Sequence, residues 1–466
     1  MAQDPKAKPY ASSFTTKQIS IWKAGEENEK PYANLLAMCS HVQYHEDLFY
    51  PAFGATAVVV DNQENLISSM PIQGFEKVVF EVEDVNGDEY SYEFRVWKVS
   101  NRSSADRQQV YTLCLISVEG LINEGMRVNT IQTGTPTEIT SKLLREKLGV
   151  SPGQIFAQES EGRIKMLPAK KTPFAVIRSL QSKTVAKKAP SKKTSKPGAS
   201  TSSSPTTSDV GAGAQKAKGT AGFLFFQTRK GFVYKSIDEL SSIDSTPAVG
   251  SNYTWSPGKT SGNESTYKIQ EIIYGQEIDM MKKLREGTYS SIIHYLDINT
   301  GKYEEFVYSL KDAWDDMVHM GSQTKLPVGQ TTLSEYPSRV MSTLVNNECW
   351  YSGTEVATEK SEYLDRQKDY LSQGISRLGL MFNQVLTISI TGHLELCAGD
   401  KIEVRIPDQK SEQQREQGEV WDPEHSGTYL IKHLNHQFDI PGENVYTVLE
   451  LIRDSYGIKD KESKVN

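Results

Sequence analysis

Closely spaced histidines are the residues of this chain whose types suggest a metal site. His41 and His45 lie in HVQYH, and His433 and His436 lie in HLNH. The alternating pattern around the first pair predicts a strand, where side chains four residues apart are separated by about 13 Å. The second pair would point to opposite faces of a strand. We therefore interpret all four histidines as structural, and the sequence predicts no metal site and no cofactor.

Paired acidic residues are the other candidate for chemistry. Glu304-Glu305 and Asp315-Asp316 could be compared with the two carboxylates of a glycosidase, but a solvated face explains such pairs better. The chain has no GxSxG, HExxH, phosphate-binding-loop or GxGxxG motif. The sequence therefore predicts no catalytic residues and a protein that is not an enzyme.

Charge is distributed unevenly along the chain. The 466 residues carry a net charge of −7, whereas the stretch 183–219 holds eight lysines and one aspartate, which is +7. The rest of the chain therefore carries −7 − 7 = −14. An acidic body argues against a dedicated nucleic-acid-binding protein. A basic stretch almost free of large apolar residues is typical of a solvated loop, and contact with phosphates or a membrane is the less favoured alternative.

The four cysteines, Cys39, Cys114, Cys349 and Cys397, are far apart and form no CxxC pair. We expect free thiols in a reducing compartment. The chain has no run of about 18 apolar residues, which predicts no membrane span. Its N-terminus has no apolar segment of the kind found in secretory signals.

The elements that would position any site are mainly strands. In the stretch 77–96, alternate residues are apolar, and Asn86-Gly87 is a strong hairpin signal. Several short strands separated by turns predict an antiparallel β-barrel over 18–125, preceded by a flexible arm, 1–17.

Helical spacing follows, within a predicted α+β domain at 126–245. A first helix has Thr135 or Thr137 as its N-cap candidate and Gly149 as its stop. Thr172 would cap a second helix, with Pro173 at its first position. These helices need a sheet to pack on, and GFLFFQTRKGFVYKSI predicts one as a hairpin over 223–227 and 232–235. The stretch 183–219 between helix and hairpin is then a disordered basic loop inside one domain.

Strand patterns return in the last part of the chain. Alternating segments between 267 and 310 and between 385 and 455 predict a second β-barrel domain over 246–457, followed by a tail, 458–466. A helical insertion is expected at about 311–380, with helical spacing at Tyr363, Leu364, Leu371, Ile375 and Leu378. The predicted fold class is therefore mainly β (α+β), with two antiparallel β-barrel domains, an intervening α+β domain and a helical insertion.

Several short motifs occur together in a characteristic order. They comprise Tyr44, Glu46 and Asp47; Asp61; Pro71, Ile72, Gly74 and Glu76; TPFAVIRSLQSKT and GFLFFQTRKGFVYKSIDEL; Gly399-Asp400; Gly427 to Tyr429; His436; and Arg453-Asp454-Ser455. This series resembles the tail hub family of phages, in particular the central baseplate hub of T4-like contractile tails. Spike proteins of bacterial secretion systems share that fold. The resemblance covers most of 18–457.

The resemblance implies a structural virion protein in the tail baseplate, assembled in the host cytoplasm. Such hubs are homotrimers in which two barrels per chain make a ring with six-fold-like symmetry. The ring joins the hexameric tail tube protein to the trimeric central spike protein, contacts other baseplate (wedge) proteins, and lets DNA pass in transit during genome ejection. No membrane partner is implied. The basic stretch departs from the family pattern.

Three alternatives remain. A hub or spike component of a bacterial contractile injection or secretion system would share the fold, although this chain shows no fused spike segment. A cell-wall hydrolase of a phage tail would need a cleft with perturbed carboxylates, and the sequence shows none. A surface adhesin would be favoured by repeated domains or a disulfide framework, and both are missing from the sequence.

Overall fold

The protein is described here by a computed structural model. It covers residues 12–27, 30–62, 66–70, 72–105, 108–187, 219–242, 252–255, 267–275, 279–321, 327–328, 331–332, 335–408, 421–422 and 424–455. The start of the predicted arm up to residue 11, the predicted tail 458–466 and residues 188–218 of the predicted basic loop lie outside these ranges. Within the described ranges the fold is mainly β, as predicted.

The first region of the chain is built from strands with one short helix. These elements are β1 (Thr15–Trp22), β2 (Ala33–Asn34), β3 (Cys39–Asp47), β4 (Gly54–Asp61), α1 (Leu66–Ser69), β5 (Lys77–Glu83), β6 (Glu89–Ala105) and β7 (Gln108–Ile116). Alternation places Val78, Phe80 and Val82 in the core. The predicted hairpin joins β5 to β6, and Gly87 there has φ +90°, a left-handed conformation that favours glycine.

The second region combines helices with short strands. It contains α2 (Val118–Gly125), β8 (Gln132–Gly134), α3 (Pro136–Leu148), β9 (Ile155–Ala157), β10 (Ser160–Glu161), β11 (Arg163–Met166), α4 (Pro173–Gln181), β12 (Val185–Ala186), β13 (Phe223–Thr228), β14 (Gly231–Ser236) and α5 (Ile237–Ser241). Both predicted helices are confirmed. Thr135 caps α3 in a capping box with Glu138, and Thr172 caps α4 by accepting a hydrogen bond from the backbone of Ala175.

Helix α4 and the β13–β14 hairpin share one core, as predicted. Phe174 and Ile177 of α4 are buried together with Phe225 and Phe232 of the hairpin. The chain leaves this core after β12 and re-enters it beside the same strand, because the N–H of Ala186 donates to the carbonyl of Thr220 at 2.9 Å. The two described ends of the basic stretch are therefore neighbours, which fits a loop that departs from and returns to one folded unit.

The third region supplies the remaining elements. They are β15 (Asn252–Trp255), β16 (Lys268–Tyr274), α6 (Met280–Glu286), β17 (Ser290–Asp297), β18 (Lys302–Ser309), α7 (Leu310–Ala313), β19 (Pro327–Val328), β20 (Thr331–Thr332), β21 (Arg339–Leu344), β22 (Cys349–Trp350), α8 (Ser361–Leu380), β23 (Gln384–Thr391), β24 (Lys401–Arg405), β25 (Gly427–Asp439) and β26 (Asn444–Arg453). Six of these strands close a barrel in the order β24-β15-β16-β23-β26-β25.

Two strands that the sequence pattern assigned to this barrel lie elsewhere. β17 and β18 form a separate three-stranded sheet with β21, which runs parallel to β17. Alternation shows that a segment is a strand but does not specify its partners, and β21 joins this sheet from within the stretch predicted to be helical. Strands β21 and β22 therefore precede the one long helix described there, α8.

Strand β25 connects the barrel to the first region. Its beginning pairs with β24 and its end, from His433 to Asp439, pairs with β3. A register shift between Ile431 and His433 interrupts its pairing with β26. The strands β2-β1-β5-β6-β7-β4-β3 consequently continue into the barrel as a single thirteen-stranded sheet over one continuous core. An isolated bridge between Ser13 and Asn444 ties the start of the described chain to the far end of the β25–β26 hairpin.

Helix α8 is confirmed, but its buried face differs from the predicted apolar stripe. Leu378 is exposed and the other predicted positions are only partly buried, whereas Arg366, Tyr370 and Arg377 are buried. The helix turns these side chains inward because the interior offers hydrogen-bond acceptors and aromatic faces to the two arginines. None of the described helices is long and apolar enough to cross a membrane.

Candidate functional site

The motif residues from distant parts of the sequence meet in two buried polar clusters. The first, the Glu46 junction, is centred on a carboxylate on β3. Glu46 Oε1 accepts hydrogen bonds from the Tyr44 hydroxyl and the Arg229 backbone N–H, both at 2.6 Å, and Oε2 accepts one from the Ala398 N–H at 2.7 Å. The period of two along β3 places Tyr44 and Glu46 on one face. One carboxylate thereby joins β3, the β13–β14 turn and the segment before β24.

Glu46 is 1% exposed, and its surroundings perturb its ionisation. Burial raises the pKa of Glu46 to about 7, against the lowering effect of the hydrogen bonds from Tyr44 and the two backbone groups, and the nearby Asp400 raises it further. Burial also raises the pKa of Asp400. The structure thus contains a perturbed carboxylate pair that the sequence did not reveal. Both oxygens of Glu46 are occupied by protein donors and inaccessible, so they act as structural acceptors.

Aromatic rings pack beside this carboxylate. The Tyr44 ring lies 4.8 Å from the Tyr92 ring and stacks at 6.0 Å on His436, measured between centroids. His436 Nδ1 lies 2.8 Å from the hydroxyl of Thr447, and burial lowers the pKa of this histidine to about 3. His436 is therefore neutral near pH 7. It is buried while His433 is only partly buried, which confirms that the two histidines face opposite sides of β25.

The second cluster, the Asp454 junction, is built around a buried ion pair. Asp454 Oδ2 lies 2.6 Å from Arg377 Nη1 and 2.7 Å from His319 Nδ1, and Oδ1 accepts the N–H of Met320. Arg377 Nη2 bonds Asp238 at 2.5 Å. Burial alone would raise the pKa of Asp454. The hydrogen bond from His319 and the charge of Arg377 nevertheless hold this pKa well below its usual range. This junction joins α8, α5, the segment after α7 and the end of β26.

Arg453, the neighbour of Asp454, secures the end of the barrel. Its Nε donates to Gln384 at 2.8 Å, its Nη2 donates to the carbonyl of Glu424 at 2.6 Å, and its guanidinium lies 4.4 Å from the ring centroid of Tyr429. A Cβ at Gly427 would lie 2.7 Å from Arg453 Nη1, and Gly427 has φ +132°. Glycine is favoured there because its positive φ would strain other residues, and because Arg453 occupies the space that a side chain would enter.

Two further motif residues stabilise local turns. The Glu76 side chain accepts the N–H groups of Gln73 at 2.7 Å and Gly74 at 3.0 Å, which fixes the turn that opens β5. Asp61 accepts the first N–H of α1 at 2.6 Å. Pro71 lies outside the described residues. Each of these contacts is structural and local.

The candidates for metal or acid chemistry are dispersed. His41 and His45 lie on the less buried face of β3. Burial lowers the pKa of His45, and the nearby His433 lowers it further. Among the described residues no group of three or more His, Cys, Asp or Glu side chains could hold a metal ion. Glu304 pairs with Lys368 on the surface at 2.9 Å. All four cysteines are free thiols, three of them buried.

Sequence reasoning missed the cationic half of the Asp454 junction. Arg377 and His319 belong to none of the motifs, and Asp238, the acidic partner of Arg377, lies within the hairpin motif without a predicted role. The signal that was present is an arginine pair, Arg366 and Arg377, eleven residues apart and hence on one face of a predicted helix. Arginines on a helix ordinarily indicate its solvent face, so this signal would have been assigned to the surface.

Comparisons with known proteins give the following findings. No protein-family model matches the chain, and no curated protein matches it. One similar solved structure is a tail protein from Neisseria meningitidis MC58, with 11% sequence identity over 95% of this chain and 97% of that chain and a TM-score of 0.49. Another is a 43 kDa tail protein of prophage MuSo2 from Shewanella oneidensis, with 10% identity over 94% of this chain and 98% of that chain and a TM-score of 0.49. A third is a prophage tail protein from Listeria monocytogenes EGD-e, with 9% identity over 93% of this chain and 94% of that chain and a TM-score of 0.42. Phage baseplate and type VI secretion proteins are also among the similar structures.

Proposed function

We propose that this chain is a structural virion protein, a homotrimeric baseplate hub of a contractile phage tail. The observation that carries the proposal is that motif residues far apart in the sequence, Tyr44 and Glu46 near its start and Asp454 near its end, form the centres of the two buried junctions. These junctions hold the first region, the α+β region and the closed barrel together through buried hydrogen bonds and an ion pair. Such an arrangement suits a frame that must keep its shape under load.

The proposed ring follows from two similar units per chain. The closed barrel would be one unit, and the strands β1 to β7, completed by β25, would be the other. Three chains would then present six units to a hexameric tail tube and three to a trimeric spike. The domain limits that go with this proposal are those expected from the sequence, 18–125, 126–245 and 246–457.

The proposed partners are the tail tube protein, the central spike protein and other baseplate proteins, with DNA passing through the bore only in transit. A non-enzymatic role agrees with the chemistry of the junctions, because the raised-pKa carboxylate Glu46 is buried with both oxygens bonded. The proposed location is the tail baseplate of the virion, after assembly in the host cytoplasm.

The oligomeric mass of the purified protein tests this proposal. Light scattering of the assembled form, either the chain alone or the chain trimerised on its partners, should give about 156 kDa, the mass of three 52.1 kDa chains. A stable dimer or a symmetric hexamer would overturn the hub proposal. The rotation that a head-to-tail contact imposes between neighbouring chains sets the number of chains in the closed ring, which the hub proposal requires to be three. A peptidoglycan digestion assay run in parallel should show no activity, and digestion above the buffer control would support the hydrolase alternative.

A further inference from the structure

A buried lysine lies beside a buried side-chain amide in the third region of the chain. Lys283 on α6 and Asn383, between α8 and β23, are each 4% exposed and are separated by 100 residues along the chain. Lys283 Nζ donates to Oδ1 of Asn383, and this is its only side-chain hydrogen bond in the part of the chain that the structure describes. Neither residue belongs to the motifs that resemble the tail hub family, so the proposed function leaves this pair unexplained.

The lysine is poorly compensated for a buried cation. An ammonium group has three N–H donors, and here only one of them has an acceptor. Burial lowers the pKa of Lys283 to about 8, against the raising effect of the charges on Asp279 and Glu286. About a tenth of the molecules therefore carry a neutral amine at pH 7, whereas an ordinary exposed lysine is almost entirely protonated. A neutral amine has a free lone pair and is a nucleophile.

The amide group of Asn383 is held in one orientation. Its Nδ2 donates to the main-chain carbonyl of Asp454 at 2.7 Å, which leaves Oδ1 directed at Lys283. Because the carbon Cγ is bonded to Oδ1, the amine is held close to the carbon that it would attack. Fixed proximity of two reacting groups can correspond to an effective concentration of about 10⁵ M or more.

The chain neighbours of the pair belong to an apolar cluster. Leu284 follows Lys283 and packs against this cluster, and Leu380 is part of it. The N–H of Asn383 donates to the carbonyl of Leu380 at 2.9 Å, which fixes the base of the amide side chain. Such surroundings favour the neutral form of the amine and keep water away from the amide carbon.

One carboxylate is placed to carry the proton that an attack by the amine would release. Asp279 is the N-cap of α6 and lies four residues before Lys283, so the two side chains are neighbours on the helix surface. The charge of Asp279 acts on Lys283 accordingly. The carboxylate of Asp454 does not serve this purpose, because Arg377 and His319 bind it.

We propose that Lys283 and Asn383 react with each other to form an isopeptide bond. The lone pair of Nζ attacks Cγ, a bond forms between Nζ and Cγ, and the bond between Cγ and Nδ2 breaks. Nδ2 leaves as ammonia after taking one proton from the amine, with Asp279 as the carrier of that proton. The new bond ties α6 to the segment that follows α8, around the sheet of β17, β18 and β21.

The mass of the intact, denatured chain tests this bond. The full chain, purified in its folded form, should be lighter than its sequence mass by about 17 Da, the mass of one ammonia molecule. Trypsin should release a branched peptide that joins 283–285 to 378–401, because it does not cleave after a modified lysine. Lys283→Arg and Asn383→Ala should each have the full mass of their own sequence.

Three comparisons separate this bond from other losses of ammonia. Lys401→Arg is the matched control, because Lys401 is also buried but donates to the main-chain carbonyl of Ser242, and this variant should keep the loss of mass. Cyclisation at Asn86-Gly87 would release ammonia too, but it would persist in Lys283→Arg and give no branched peptide. Asp279→Asn keeps a capping side chain and should leave most chains unlinked.

Each outcome decides one part of the proposal. A wild-type chain at its full sequence mass would overturn the isopeptide bond, as would a loss of ammonia that persists in Lys283→Arg. Complete linkage in Asp279→Asn would overturn the role of Asp279. The bond lies within one chain, so its test is independent of the number of chains that assemble. A linked chain that forms a stable dimer would support the bond and overturn the hub.

Discussion

Both junctions bury a carboxylate, but they shift its pKa in opposite directions. At the Glu46 junction a carboxylate is held by one hydroxyl and two backbone N–H groups, and burial raises its pKa to about 7. At the Asp454 junction a carboxylate is held by an arginine and a histidine, and its pKa falls well below the usual range. Burial is nearly complete in both, so the charge of the partner decides the direction of the shift.

This difference gives the junctions opposite dependence on pH. The unfolded chain binds a proton at Asp454 more readily than the native protein does, so the stability from this group is present near neutral pH and lost on acidification. For Glu46 the native protein binds the proton more tightly. Stability from this group is therefore greatest below its ordinary value of 4.5 and declines as pH rises to about 7.

The largest expected effect comes from removing the cation of the Asp454 junction. Arg377→Met leaves Asp454 and Asp238 without their ion-pair partner in the interior and should lower the free energy of unfolding by about 3–5 kcal/mol. Urea denaturation measures the loss. Arg366→Met is the matched control, because Arg366 is equally buried on the same helix but donates to a carbonyl and lies over tyrosine rings. Equal losses for the two variants would contradict the special role of the ion pair.

The acid dependence of the same junction gives the next effect. Asp454→Asn should destabilise the protein at pH 7, and the difference from wild type should shrink between about pH 5 and pH 1 as wild-type Asp454 also becomes protonated. Chemical unfolding across this range, as far as the folded state persists, measures the difference. A difference that stays constant down to the lowest accessible pH would contradict the lowered pKa.

The Glu46 junction should show the reverse trend. Glu46→Gln places an amide N–H against a backbone N–H and should cost about 1–3 kcal/mol. The loss of stability in Glu46→Gln relative to wild type should be larger at pH 5 than at pH 8, because only the wild-type protein loses stability as Glu46 ionises. Urea unfolding at the two pH values decides this, and a larger loss at pH 8 would show that the raised pKa is wrong.

The smallest effect separates a hydrogen bond from ring packing. Tyr44→Phe removes the hydroxyl that donates to Glu46 and should cost about 0.5–1.5 kcal/mol. Tyr92→Phe is the control, since the Tyr92 hydroxyl has no hydrogen-bond partner within the described residues and its ring packs in the same cluster. Thermal unfolding of both variants tests the comparison. A Tyr92→Phe loss as large as that of Tyr44→Phe would assign the effect to packing.

Local features of the fold were predictable because their causes are local. The caps at Thr135 and Thr172, the hairpin turn at Gly87 and the helix stop at Gly149 depend on a few neighbouring residues. The order of the motifs likewise identified Tyr44, Glu46 and Asp454, but not the partners Arg377 and His319 of Asp454.

Long-range contacts account for what the sequence did not predict. The inward face of α8 follows from acceptors on other segments, such as Asp238 and Asp454, that its own periodicity cannot show. The separate sheet of β17, β18 and β21 depends on a parallel pairing between distant segments, for which alternation carries no information.

Electron microscopy of the purified assembly tests the central claim most directly. The account predicts three chains around an open bore, with six barrel-like lobes. The bore surface should carry more Asp and Glu than Lys and Arg, because rings of cations would bind phosphate and retain DNA. A particle with two-fold or true six-fold symmetry, or one with a filled centre, would contradict the hub, and a net positive lining would contradict its role as a channel for DNA.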